Sequence, residues 1–181
     1  MKIGIHQPNL APWLPFFHKI QQSDIFVVMI NCQFEKNGFQ NRFKVRDKWI
    51  TKPVVGGTCL IKDKFYHDAT KLIDVNMPII IGFAKLLGIN TSKIHYDFST
   101  DNKGTDRIIE ICRRFRCDEY ITNPDATSKY LDEAAMNRSG IKITACEMPE
   151  QYRVSLFEAL ENWGVEGCAK LIQKDWSKCK A

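Results

Sequence analysis

A histidine, His6, closes the short alternating run Lys2-Ile3-Gly4-Ile5 and is followed directly by Gln7-Pro8-Asn9. An imidazole with an ordinary pKa of about 6.5 offers a neutral ring nitrogen near pH 7, so His6 is a candidate general base. The plain alternative is a structural ring bonded to a backbone carbonyl. Farther along, Phe39-Gln40-Asn41-Arg42 sets an amide beside a guanidinium. The fork of Arg42 suits a carboxylate or phosphate held through two hydrogen bonds, and a surface ion pair is its alternative reading. Gln33 can orient a sugar or amide through its donor and acceptor, or cap the loop that carries it.

Other reactive side chains read differently. The cysteines at 32, 59, 112, 117, 146, 168 and 179 form an odd set without a C-x-x-C pair, which argues against a disulfide scaffold. Cys32 and Cys59 have no identifiable histidine partner and read as small apolar side chains. The histidines at 6, 18, 67 and 95 show no metal-ligand spacing, so no metal is expected. G-x-G-x-x-G, P-loop, G-x-S-x-G and H-E-x-x-H motifs are absent, and no cofactor is expected. Arg113, Arg114 and Arg116 lie opposite an apolar stripe without interleaved aromatic residues, the pattern of a solvated helix face rather than a nucleic-acid patch.

The elements that must position these groups follow from hydrophobic spacing. Residues 2–6 form a first strand that delivers His6 to its carboxyl end, where open α/β sheets place ligands. Trp13, Phe16, Phe17 and Ile20 recur at helical spacing, with Pro15 tolerated in the first turn. Residues 25–30 read as a strand covered on both faces. A loop or edge hairpin covers 31–48. Residues 49–55 form a further strand, paired with 59–61 across Gly56-Gly57, and Pro53 puts it at an edge. The second half alternates: a helix over about 78–87 closed by Gly88, a strand at 94–96, a helix capped by Thr105, a strand at 119–122, a helix over 128–138, a strand at 141–145 and a helix over 154–163 ended by Gly164. A basic tail frays from Lys170. This pattern predicts an α/β fold, one compact domain over 1–181, with a mixed sheet, helices packed on it and a hairpin in the N-terminal third (1–62).

Composition agrees. The 181 residues are 44% hydrophobic and 26% charged, which excludes disorder as the main state. The net charge of +5 suits an anionic small molecule as readily as RNA. The longest apolar run, at 77–84, is far below the ~20 residues that span a bilayer. No basic stretch followed by an apolar segment opens the chain. The expected setting is a reduced cytosol, with neither a membrane span nor a nucleic-acid partner.

Ile5-His6-Gln7-Pro8-Asn9 with Pro12-Trp13, then Gln33-Phe34, Phe39-Gln40-Asn41-Arg42 and Trp49-Ile50-Thr51-Lys52-Pro53-Val54, closely resembles the WbqC-like family in residue order and spacing. The likeness continues more weakly through Leu87-Gly88-Ile89, 107–112, Tyr120-Ile121 and Tyr130-Leu131-Asp132 to Gly140-Ile141. Two departures stand out. Ile30 and Asn31 occupy positions where family members usually carry acidic residues, and the segment after Ile61 is shorter than usual.

What the resemblance implies is a bacterial cytosolic protein of O-antigen, lipopolysaccharide or other surface-polysaccharide biosynthesis. The expected function is a transferase moving an acyl or aminoacyl group onto an amino sugar or nucleotide sugar. His6 would be the catalytic base, and Gln7, Asn9, Trp13, Gln33, Asn41, Arg42 and Lys52 would bind substrate. Gln7 and Gln33 would orient the sugar, Arg42 would hold an anionic group of the donor or nucleotide, and Asn41 or a backbone amide would steady an oxyanion. The expected partners are a nucleotide sugar or acyl donor and a carrier protein. The alternatives are a non-catalytic sugar-nucleotide or carrier-binding partner of a glycosyltransferase and, ranked last, a nucleic-acid binder.

Overall fold

A computed structural model describes residues 1–61, 71–124 and 126–176. Five strands form one parallel sheet: β1 (Lys2–His6), β2 (Ile25–Val28), β5 (Ile94–Tyr96), β6 (Glu119–Thr122) and β7 (Lys142–Ala145), in the order β5-β2-β1-β6-β7. Strands β3 (Arg42–Val45) and β4 (Lys48–Thr51) form a separate antiparallel hairpin. Helices α1 (Leu14–Gln22), α2 (Leu72–Leu86), α3 (Gly104–Arg114), α4 (Ala126–Lys129), α5 (Glu133–Arg138) and α6 (Leu156–Gln173) complete the chain. The α/β class, the single domain and the hairpin in the first third are as the sequence predicts; the five-stranded sheet is parallel throughout rather than mixed, the only antiparallel strands among the described elements being those of the separate hairpin.

Side-chain alternation along the central strands divides the core between the two faces of the sheet. Phe26 and Val28 pack with Phe16, Phe17 and Ile20 of α1, and with residues of α2 and α6. Ile3, Ile5, Val27 and Tyr120 pack with Ile108, Ile111 and Cys112 of α3 and with Met136 of α5. Full burial of a Val, Ile, Phe or Met side chain of this kind contributes roughly 1.5–3 kcal/mol. The two layers fix β1 from both sides.

Several boundaries differ from those expected, each for a local reason. β2 stops at Val28: the Met29 N–H still donates to the His6 carbonyl at 2.9 Å, but those of Ile30 and Asn31 donate to the Asp97 carboxylate instead of continuing a strand ladder. β4 pairs with Arg42–Val45, while the Gly56-Gly57 turn joins only the isolated bridge between Val54 and Ile61. α2 begins at Leu72, where Asp74 accepts the Lys71 N–H at 2.8 Å, and Pro78 lies inside it. Burial of Leu72, Val75 and Met77 outweighs the backbone bond that Pro78 lacks.

The N-cap of α3 is Lys103, not Thr105, whose Oγ1 accepts the Asp132 N–H at 2.9 Å. Residues 128–138 are divided because Asp132 caps α5 by accepting the Ala135 N–H at 3.0 Å. Gly164, at φ 65°, kinks α6 rather than ending it. Lys170, where fraying was expected to begin, lies within α6, and Trp176 is buried on the core. The segment 62–70 and the tail beyond 176 lie outside the described residues.

Gly4 sets how closely α1 and β2 approach β1. A Cβ there would lie 2.5 Å from Ser23 Oγ and 2.8 Å from Cδ2 of the wholly buried Phe26 ring. Gly4→Ala is therefore expected to lower unfolding free energy by about 1–3 kcal/mol, the usual effect of overpacking, in urea denaturation. An unchanged midpoint would show that β1 is not held so tightly.

Candidate active site

The chain runs outward from β1 to β2 and β5, then returns to place β6 and β7 on the other side of β1. The strand order thus reverses between β1 and β6, and all five carboxyl ends share one edge. Loops leaving a parallel sheet at such a reversal diverge and leave a crevice. Here β1 pairs with β6 only through Lys2–Gly4, whereas its pairing with β2 continues to His6. His6 stands where the crevice opens.

A cavity of about 480 Å³ occupies this position. His6, Gln7 and Asn9 enter it from β1 and its following loop, and Gln33 from the loop after β2. Tyr120 and Asn123 enter from β6, and Lys103, Gly104 and Arg107 from the start of α3. Asn9 and Phe39 also line an adjoining cavity of about 330 Å³, whose walls include Trp13 and Trp49. The Trp13 and Phe39 rings stack at 6.2 Å, and Phe39 and Trp49 are 5.8 Å apart, giving a continuous aromatic surface.

His6 Nδ1 lies 2.9 Å from the Gln7 carbonyl oxygen. A carbonyl can only accept, so this contact assigns the ring proton of the neutral form to Nδ1 and leaves the lone pair on Nε2. The Phe16 ring meets the imidazole edge-on at 5.0 Å. Burial, and then the nearby charge of Lys19, push the His6 pKa down to about 4. The ring is neutral at pH 7.

Four of the expected binding residues, Arg42, Asn41, Lys52 and Trp13, lie outside the His6 cavity. Arg42 lines neither cavity: its guanidinium packs 4.2 Å from the Trp49 ring centre and donates to the Asn37 carbonyl. Asn41 donates from Nδ2 to the Lys52 carbonyl at 3.0 Å, and the Lys52 N–H returns a bond to the Asn41 carbonyl at 2.7 Å. That exchange fastens the mouth of the β3–β4 hairpin. Trp13 lines the aromatic cavity alone, while His6, Gln7, Asn9 and Gln33 come together as expected.

The guanidinium in the His6 cavity is that of Arg107. It donates to the Asn31 carbonyl at 3.1 Å and to the Asp97 carboxylate, and the Asp97 side chain is wholly buried. Asp97 also accepts the Ile30 N–H at 2.8 Å, so a carboxylate from the end of β5 occupies the neighbourhood where the sequence lacks an acidic residue. The fully buried Asn76 of α2 donates to the Pro8 carbonyl at 2.6 Å and the Gln40 carbonyl at 2.8 Å, tying the loop after His6 to the approach to the hairpin.

Lys19 is a further group that sequence reasoning missed, as are Lys103, Tyr120, Asn123 and Tyr130 in the same lining. It is 2% exposed and lines the His6 cavity, with Nζ donating to the Ile5 carbonyl at 2.9 Å. Its position three residues after Phe16, beside the apolar stripe of α1, was an available signal. Among the described residues, no cluster of three or more His, Cys, Asp or Glu side chains is placed to hold a metal ion.

The sequence matches the profile of the WbqC-like protein family over residues 7–64 and 57–159. The chain belongs to the WbqC-like protein family. It is similar to "Uncharacterized protein Rv1507c" of Mycobacterium tuberculosis, at 24% identity over 187 residues covering 79% of this chain and 80% of the relative. No solved structure matches the chain. None of the helices among the described residues is long and apolar enough to cross a membrane.

Two outcomes follow for stability. Asp97→Asn leaves the buried Arg107 charge without its partner and should destabilise the fold by about 3 kcal/mol in urea denaturation. A loss within the scatter of surface mutations would show the pair to be incidental. For His6, the folded pKa of about 4 lies below the ordinary 6.5, so the unfolded chain binds more protons between these values. This contribution is complete above pH 6.5 and is lost as pH falls toward 4. His6→Gln should flatten that part of the stability profile, leaving the share of the buried His18, whose pKa burial also lowers. An unaltered slope would contradict the environment described for His6.

Proposed function

We propose that this protein is a transferase of bacterial glycan assembly in the cytosol, moving an acyl or aminoacyl group onto the amino group of a nucleotide-linked sugar. The observation that carries this reading is the neutral imidazole of His6, its Nε2 lone pair free of the proton, at the carboxyl-end crevice beside Gln7 and Gln33. The sugar amine attacks the donor carbonyl carbon and forms a C–N bond as His6 Nε2 accepts the amine proton. The bond from that carbon to the donor's sulfur or oxygen breaks, and His6 returns the proton to the leaving group.

Gln7 and Gln33 orient the sugar through their amides, and Asn9 with Trp13 extends the binding surface into the aromatic cavity, where a sugar face can stack. The anion-holding role expected of Arg42 and the oxyanion role expected of Asn41 have no support, because the first lies outside the His6 cavity and the second side chain is bonded to the Lys52 carbonyl. Family membership supports the glycan setting, and the six described cysteines, all free thiols, support a reducing compartment. A carrier protein is the proposed source of the donor group.

A second reading, a sugar-nucleotide-binding partner of a glycosyltransferase without catalysis, is favoured by one observation. A ring with a pKa of about 4 is a weaker base than one tuned near neutrality. One variant separates the two. His6→Gln should reduce turnover of an amino-sugar nucleotide by about 10²–10⁴-fold with little change in melting temperature and ligand affinity. Transfer at the wild-type rate would leave the binding reading standing.

A further inference from the structure

We infer that the His6 cavity binds a phosphate ester group between the buried ammonium of Lys19 and the amino-terminal turn of α3. This rests on the reading of that cavity as the substrate site, and it deepens that reading by naming the group recognised there.

Lys19 is the first observation. Its ammonium has three N–H donors, and the described residues provide one hydrogen-bond acceptor, the Ile5 carbonyl. No described carboxylate pairs with it; the Tyr120 ring, centred 5.6 Å from Nζ, makes a buried cation–π contact but supplies neither a counter-charge nor a lone-pair acceptor. Burial lowers its pKa to about 8, so it still carries its charge at pH 7. A buried cation without a counter-charge is unfavourable, and a methionine would fill similar space without that penalty. An anion in the cavity completes it.

The second observation comes from the opposite wall. α3 is an eleven-residue helix whose N-cap, Lys103, makes no side-chain cap bond, and Lys103 and Gly104 both line the cavity. The amino-terminal N–H groups of an uncapped helix, with the positive end of its dipole, favour a phosphate. Lys19, Lys103 and Arg107 line the cavity against the single carboxylate of Glu35, and the charge of Arg107 is already answered by Asp97.

The chemistry favours phosphate over carboxylate. A planar carboxylate is best held by a free guanidinium fork, but Nη1 and Nη2 of Arg107 are engaged by Asn31 and Asp97. A compact ammonium and a set of backbone N–H groups suit a tetrahedral oxyanion. This device lies at the sheet's switch point without the glycine-rich motif usually found there.

The test is calorimetric titration of the full chain with inorganic pyrophosphate, and with acetate as the carboxylate probe, at constant ionic strength. Wild type should bind pyrophosphate in preference to acetate. Lys19→Met should bind it about tenfold or more weakly without loss of thermal stability, since a charge-assisted contact is removed along with an unfavourable buried charge. If Lys19→Met does not fold, the exposed Lys103→Glu decides: weakened pyrophosphate binding supports the site, and unchanged binding overturns it. Undiminished affinity in folded Lys19→Met, no binding by wild type, or equal affinity for acetate also overturns it. Because binding is read without turnover, a protein that holds pyrophosphate but transfers nothing keeps this inference and loses the transferase reading. Transfer with undiminished pyrophosphate affinity in Lys19→Met does the reverse.

Discussion

Parallel pairing of β1 with β2 on one side and β6 on the other is the constraint from which the site follows. Because the chain builds outward from β1 in one direction and then crosses back to build in the other, loops leaving β1 and β6 must part. The missing two residues of β1–β6 pairing beyond Gly4 make that separation concrete, and the His6 cavity opens beside it. Gly4 keeps α1 close against the strand, and α1 carries both Phe16, which packs on the imidazole, and Lys19, which reaches the Ile5 carbonyl.

A crevice between diverging loops holds a shape only when those loops are fastened, and a few buried polar side chains do this. Asn76 joins the carbonyls of Pro8 and Gln40. Gln40 in turn accepts the Glu35 N–H and donates to the Gln33 carbonyl, closing the loop that presents Gln33. Asp97 gathers the backbone at Ile30 and Asn31 and holds Arg107 against it. Each buried bond adds only about 1 kcal/mol net, but leaving such a group unpaired costs more, so the arrangement is specified more strongly than its net stabilisation suggests. The site is fastened on the β1 and β2 side by hydrogen bonds and on the α1 side by apolar packing.

This division explains how much could be read from sequence. A strand's period and the turn residues after it are local, so the position of His6, Gln7 and Asn9 at a sheet's carboxyl end was legible, as was the α/β alternation. The direction of the 31–55 segment was not, because β3 pairs with β4 and that hairpin carries Arg42 onto Trp49, away from His6. Asp97 and Arg107 act through partners far along the chain, and no local pattern announces them. Lys19 was the one missed residue with a local mark, a lysine beside an apolar helical stripe that reads equally well as a stem lying along the surface with its charge in water. Burial, which sequence does not give, decides between the two.

The two titratable groups at the heart of the cavity are electrically coupled, which links recognition to base strength. Burial is the main reason the imidazole is held near pKa 4, and the charge of Lys19 adds to it. A phosphate ester beside Lys19 neutralises that second cause and brings its own negative charge toward the ring, and both changes favour the imidazolium. With such a group bound, His6 would be a better base, its pKa moved toward the range where proton transfer at neutral pH is most effective. On this account the weak basicity of His6 belongs to the same arrangement as the buried lysine: one anion would relieve both, so the charge proposed to anchor the substrate would also prepare the nitrogen proposed to act on it.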